Sequence, residues 1–207
     1  NLELTETLRD KQKKGSLLWV LDHTKTAMGA RKLREYIEQP LVNAEAINMR
    51  YDCIEALNDN MISREELREY LNTIYDLERL MTRISIKTAD TRDLLDFNTS
   101  IHYLPDIVNL LRTIKSDRFE QISEDIDTLE DLYELLDAAI EEEPPIAIKE
   151  GGIFKAGYLE EIDRLKSAKT ECKSWLAELE EKERIKTGIK GLKIKYNKVF
   201  DYYFEVT

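Results

Sequence analysis

The side chains whose types and spacing could do chemistry are concentrated near the C-terminal end. Residues 182–198 hold seven basic groups (Lys182, Arg184, Lys186, Lys190, Lys193, Lys195 and Lys198) and one acid, Glu183. Leu192, Ile194 and Tyr196 alternate there with Lys193, Lys195 and Asn197. A period of two belongs to a strand and points the lysines to one side of it. A row of ammonium groups can follow a phosphate backbone without reading bases. Lys193, Lys195, Asn197 and Lys198 are therefore the candidate DNA-binding residues, with Tyr202 and Tyr203 as additional hydrogen-bonding groups. The same pattern suits a solvated edge strand, whose lysines discourage unwanted pairing.

Other constellations carry little. No Gly-x4-Gly-Lys-Ser/Thr and no G-x-G-x-x-G is present, so the segment itself carries no nucleotide hydrolysis. His23 precedes Thr24 and His102 precedes Tyr103, which excludes H-E-x-x-H, and neither histidine has Glu three residues before it. Cys53 and Cys172 lie far apart and form no C-x-x-C, so a reducing compartment is the default. No catalytic, cofactor or metal residue is assigned. His23 beside Asp22 reads as a local turn contact, and His102 as a core-edge side chain. Eleven acids and no Lys or Arg occupy residues 120–143, with Leu129, Leu132 and Leu136 interleaved at helical spacing. That is the solvated face of an amphipathic helix.

The whole chain of 207 residues carries 31 Lys+Arg against 42 Asp+Glu, a formal charge of −11. Such a balance opposes a general DNA-binding surface and leaves room for a local one. Apolar residues make up 42%, yet no apolar run approaches the ~18 residues of a membrane span. Seven Gly and four Pro are too few for the many tight turns of a sandwich or barrel.

The elements that must position the basic strand are mostly helical. Thr26 can cap a helix carrying Met28, Leu33, Tyr36 and Ile37, which Pro40 stops. Asn43 can cap the next, with Ile47, Tyr51, Ile54 and Leu57 on one face. Ser63-Arg64-Glu65-Glu66 fits a capping box. Ile74, Leu77, Leu80, Met81 and Ile84 form a stripe, continued by Leu94, Leu95, Asn98, Ile101 and His102 as far as Pro105. A further helix carries Ile107, Leu110, Leu111 and Ile114, and Asp127 can cap one holding Leu129, Leu132, Leu136 and Ile140. Ile146-Ala147-Ile148 and Ile153-Phe154 flank Glu150-Gly151-Gly152 as a small hairpin. From about Tyr158 to Lys186 runs a long helix. Ile162, Leu165, Cys172, Leu176 and Leu179 recur along it as a narrow seam. Near Thr187 the period turns to two. The chain starts at Asn1 and ends in an open strand, so a segment of a longer protein is expected. The residues alone leave two readings: a nucleic-acid contact module on a helical arm, and a helical scaffold or adaptor without nucleic-acid contact.

Four strings add a resemblance. GSLLWVLDHTKTAMGARKLREYIEQPL (15–41), IYDLERLMTRISIKTADTRDL (74–94), Pro144-Pro145 with IAIKEGGIFKAGYLEEIDRL (146–165), and ERIKTGIKGLKIKYNKVFDYYFEVT (183–207) are collinear. Together they resemble the core, or lever, domain and the start of the clamp of the bacterial MutS family of DNA mismatch repair proteins. The resemblance implies a mostly α fold. A helical core (1–157, with a β-hairpin near 146–156) would carry a protruding lever helix (158–186) and a truncated antiparallel β clamp (187–207). It also implies a parent that works as a homodimer, encircles double-stranded DNA, recognises mismatches and binds ATP with Mg in a separate ATPase domain. A partner of the MutL type, and a cytoplasmic, nucleoid-associated location away from membranes, follow from the same resemblance. The family usually has Gly where this chain has Asp201, a position at which glycine permits a bend or bulge in the strand.

Overall fold

The computed structural model describes residues 2–145, 148–199 and 201–206. The chain forms two compact units, residues 1–155 and 156–207.

Among the described residues, the regular structure of the first unit is helical apart from one short pairing. Its helices are α1 (Leu17–Leu21), α2 (Ala27–Glu38), α3 (Ala44–Asp59), α4 (Met61–Thr73), α5 (Leu77–Ser85), α6 (Thr91–His102), α7 (Leu104–Thr113), α8 (Asp117–Asp125) and α9 (Glu130–Ala139). Side-chain oxygens fix their starts. Thr26 accepts from Gly29 N, Asn43 from Ala46 N, and Asp76 from Arg79 N. Asp90 and Asp93 form a reciprocal capping box at α6. Pro105 sits in the first turn of α7, where its missing N–H has no intrahelical partner to lose.

Two apolar clusters hold the unit. Ile107, Leu111, Ile114 and Phe119 of the α7–α8 region take in Cys53, Ala56 and Leu57 of α3 and Leu67 and Tyr70 of α4. Leu80, Phe97 and Ile101 of α5 and α6 take in Leu132, Tyr133 and Leu136 of α9. Ser100 is fully buried between helices: its hydroxyl donates to Asp96 O and accepts from Tyr75 N. α2 is held by charge as well as by packing. Arg31 spans Asp76 (2.7 and 2.8 Å) and Glu78 (2.5 and 3.1 Å), and Arg50 stacks 3.6 Å from the Tyr36 ring centroid.

Several expectations shift. Asn60, not Ser63, caps α4; Ser63 is buried inside the first turn because Asn60 Oδ1 already takes its amide. α3 presents Cys53, Ala56 and Leu57 to the core, while Tyr51 and Ile54 of the expected stripe are exposed. α8 falls where no separate helix was expected, and places Phe119 and Ile122 on the core. Asp127 does not cap α9. It accepts from Leu129 N, and holds Leu129 at φ 53 as the residue preceding the helix. The expected stripe from Ile74 to Ile84 is split. Ile74 serves the first cluster and Leu77, Leu80 and Ile84 the second.

The pairing near residue 150 also differs. Phe154 bridges Ile140 antiparallel, with Glu141 N donating to Ile153 O and Lys155 N to Ala139 O (both 2.9 Å). Ile148 lies in a 3-10 turn (Ile148–Glu150), and Ile146 and Ala147 lie outside the described residues. Ile140 leaves α9 in extended geometry, which lets its backbone pair with that of Phe154.

The second unit holds α10 (Glu160–Thr187), β1 (Leu192–Asn197) and β2 (Asp201–Val206). At about 1.5 Å per residue, α10 is roughly 42 Å long. Glu160, Glu161 and Asp163 face the positive end of its dipole, and Arg184 and Lys186 the negative end. Asp163 also accepts from Gly157 N (2.7 Å). Gly188 ends the helix at φ 72, a conformation glycine adopts without cost. No side chain of α10 is buried, and Leu165 and Trp175 are 65% and 59% exposed.

Candidate nucleic-acid interface

The basic strand is positioned by the end of α10 and by its own hairpin. β1 pairs antiparallel with β2 in the register Leu192↔Val206 to Asn197↔Asp201. Directly paired residues project to the same side of a two-stranded sheet. One face therefore carries Leu192, Ile194, Tyr196, Tyr202, Phe204 and Val206, and the other Lys193, Lys195, Asn197, Asp201, Tyr203 and Glu205.

The edge of β1 away from β2 is covered by α10. Arg184 Nε donates to Leu192 O (2.7 Å) and Ile194 N donates to Glu180 Oε2 (2.8 Å). Arg184 also binds the other Glu180 oxygen at 2.5 Å. Two side chains one helical turn apart thus take a carbonyl and an amide that an edge strand leaves open. The strand hydrogen-bonds to the helix as it would to another strand.

The turn is built by Asn197 and Asp201. Asn197 Oδ1 accepts from Val199 N (2.9 Å), and Asp201 enters β2 at φ 54. Only residues 198–200 separate the strands, and a left-handed residue closes such a loop. The left-handed geometry favoured by glycine is thus present with aspartate in place, and Asp is among the few other residues that tolerate it.

Of the four candidate contact residues, Lys193, Lys195 and Asn197 share one face, with both lysines exposed and Asn197 half-buried. Lys198 is exposed in the turn, outside the strands. Tyr203 joins the lysine face opposite Lys195. Tyr202 does not, because the two-residue period sends it to the opposite face, where its ring lies 5.1 Å from that of Tyr196.

The sequence reading missed the acids on this face. Glu205 stands across from Lys193 and forms an ion pair with Lys195. The Glu205 carboxylate beside it holds the Lys195 ammonium above the usual lysine range. Two lysines thus meet two carboxylates, Asp201 and Glu205, and the formal charge of the paired strands on this face cancels. Lys190 and Lys198, both exposed, flank it. Glu205 was visible as an alternating acid in β2, but only the register says which lysine it reaches.

No second site of chemistry emerges among the described residues. No group of His, Cys, Asp or Glu is placed to hold a metal ion. Asp22 binds Lys13 and receives hydrogen bonds from Thr24, which hold its carboxyl down at about 2. His102 packs on Tyr103 and Tyr133 from an exposed position. Of the eleven acids in 120–143, all but the half-buried Glu141 are exposed. No helix is long and apolar enough to cross a membrane among the described residues.

The second unit thus joins a long helix to a strand pair through hydrogen bonds from the last turns of the helix. The chain belongs to the MutS domain III family, whose pattern matches residues 1–194. It is 63% identical over all 207 residues to the DNA mismatch repair protein MutS of Lachnoclostridium phytofermentans, covering 22% of that protein. Identity is 52% to the MutS of Acetivibrio thermocellus and 49% to that of Alkaliphilus metalliredigens, again over the whole chain and 24% of each relative. The chain thus spans about a quarter or less of the length of these relatives.

Proposed function

We propose that this chain is the core and lever segment, with the first clamp strands, of a protein that recognises mismatches in duplex DNA. Residues 1–157 are the platform, 158–186 the lever and 187–207 the start of the clamp. The observation that carries this reading is the hydrogen-bonded join between α10 and β1. Glu180 and Arg184 belong to the helix, yet they fix the backbone of the first clamp strand. A displacement of the helix is therefore delivered to the lysine face rather than absorbed in a loop.

The chain performs no chemistry of its own on this reading. ATP and Mg act in an ATPase domain elsewhere in the parent, a homodimer encircles the DNA, and a MutL-type protein acts downstream, in the bacterial cytoplasm at the nucleoid. Coupling runs both ways: if nucleotide alters the clamp, DNA on the clamp alters nucleotide affinity by the same factor. Lys193, Lys195, Asn197 and Lys198 touch the backbone without reading sequence, as scanning any DNA requires. The test is Lys193→Glu with Lys198→Glu in the full-length protein, titrated with a fully paired duplex over a salt series. Weaker binding and a salt slope reduced by about one to two are expected, since each lost phosphate contact removes about 0.9. An unchanged affinity and slope would remove the strand from the DNA and leave the adaptor reading.

A further inference from the structure

The lysine face contains its own competitor for phosphate. Glu205 lies directly across the sheet from Lys193 and diagonally across from Lys195, with which it forms the ion pair. In an antiparallel pair these are the two positions whose side chains reach one another. Lys195 and Glu205 have 50% and 32% of their side chains exposed, with the pairing Oε2 of Glu205 covered and the lysine open to water. We propose that Glu205 is an exchangeable carboxylate that occupies Lys195 until a DNA phosphate displaces it, and so keeps this strand's hold on any backbone weak. This rests on the DNA-contact reading given above.

The physics of the exchange is simple. A phosphate that reaches Lys195 replaces one anion by another, so the net gain is small. The displaced carboxylate then stands beside the bound phosphate and repels it. Lys195 is half exposed and Glu205 about a third, and ion pairs this open to water are weak, so little opposes either direction of the exchange. A strand built this way lets go as readily as it takes hold. The ligand is the anionic backbone of double-stranded DNA, and the acid acts through the lysine rather than on the DNA directly.

The experiment measures full-length protein on a labelled, fully paired duplex across a salt series. Four forms are compared with the parent: Glu205→Gln, Lys195→Ala, both together, and Lys193→Glu with Lys198→Glu. Gln keeps the shape of the side chain, and thermal melting of each form verifies that the hairpin is retained. Glu205→Gln is expected to tighten binding about twofold to fivefold, the range an exposed ion pair is worth, and to steepen the salt slope. In the Lys195→Ala background the same change should do less than about half as much on a logarithmic scale. Equal tightening in both backgrounds would mean a general field effect and would overturn the exchange. No tightening would overturn it too, with the strand still on the DNA if the double lysine reversal weakens binding. If the lysine reversal changes nothing, the contact reading fails and the exchange falls with it.

Discussion

The two units are held together in different ways. The first buries Ile101 at 1% exposure, Phe97 at 4% and Leu111 at 5%, and its helices share side chains in two closed clusters. The second has a 28-residue helix with no buried residue and a hairpin whose apolar face leaves Tyr196, Phe204 and Val206 more than half exposed. Its geometry comes instead from hydrogen bonds: Arg184 and Glu180 to β1, Asp163 to Gly157 N, and Asn197 to Val199 N. Packing sets how stable the first unit is. Directional polar contacts set where the strands of the second unit point.

The contrast can be broken most severely in the core. Ile101→Ala removes a fully enclosed side chain, and a loss of about 2–5 kcal/mol in urea unfolding is expected. Leu165→Ala on the exposed helix should cost under about 1 kcal/mol, since exposed positions leave no cavity. Equal losses would mean that the helix is covered in solution. Arg184→Ala should cost about 1–2 kcal/mol locally, since it takes the donor from Leu192 O and the partner from Glu180. Hydrogen exchange should quicken at Ile194 while the amides of α6 stay protected.

Asp201→Gly is expected to stabilise the hairpin by up to about 1 kcal/mol, because glycine carries no left-handed penalty. Melting of the second unit would show a gain, and a loss would mean that Asp201 holds the turn by a contact of its own. The smallest effect is that of pH. Asp76, hydrogen-bonded by Arg31, and Asp22, bound by Lys13, have folded carboxyls below their ordinary range. Their stabilisation is complete above about pH 4, the unfolded carboxylate range, and is lost as pH falls through the lower folded values. Asp96 runs the other way: burial first, then the Asp93 charge, raises its carboxyl, so protonation relieves it. Asp76→Asn should therefore flatten the acid limb of the unfolding curve, and an unchanged limb would deny that the Arg31 fork contributes.

The sequence made the helices legible where a cap preceded a stripe, as at Thr26 and Asn43, because capping is a contact over three residues. It misplaced the start of α4, since Asn60 and Ser63 are both good caps and only the backbone decides between them. The pattern does not single out α8, because only Phe119, Ile122 and Ile126 mark its apolar side among many acids. The α3 face was read one step around the helix, because Cys53 and Ala56 weigh less in a hydrophobic pattern than Tyr51 and Ile54. At the site, the lysine row followed from the two-residue period. The Glu205 partner did not, because a register depends on the turn, and this turn rests on an aspartate in an unusual conformation.

The join of Arg184 and Glu180 to β1 makes the helix and the strand a geared pair. An α-helix turns about 100° and rises about 1.5 Å for each residue, so one residue inserted between Lys173 and Glu180 would swing the lysine face by more than a quarter of a revolution. Seven residues would return it to within about 20° and simply carry it farther out. This segment can therefore change length only in near-whole turns without altering which way its strands face.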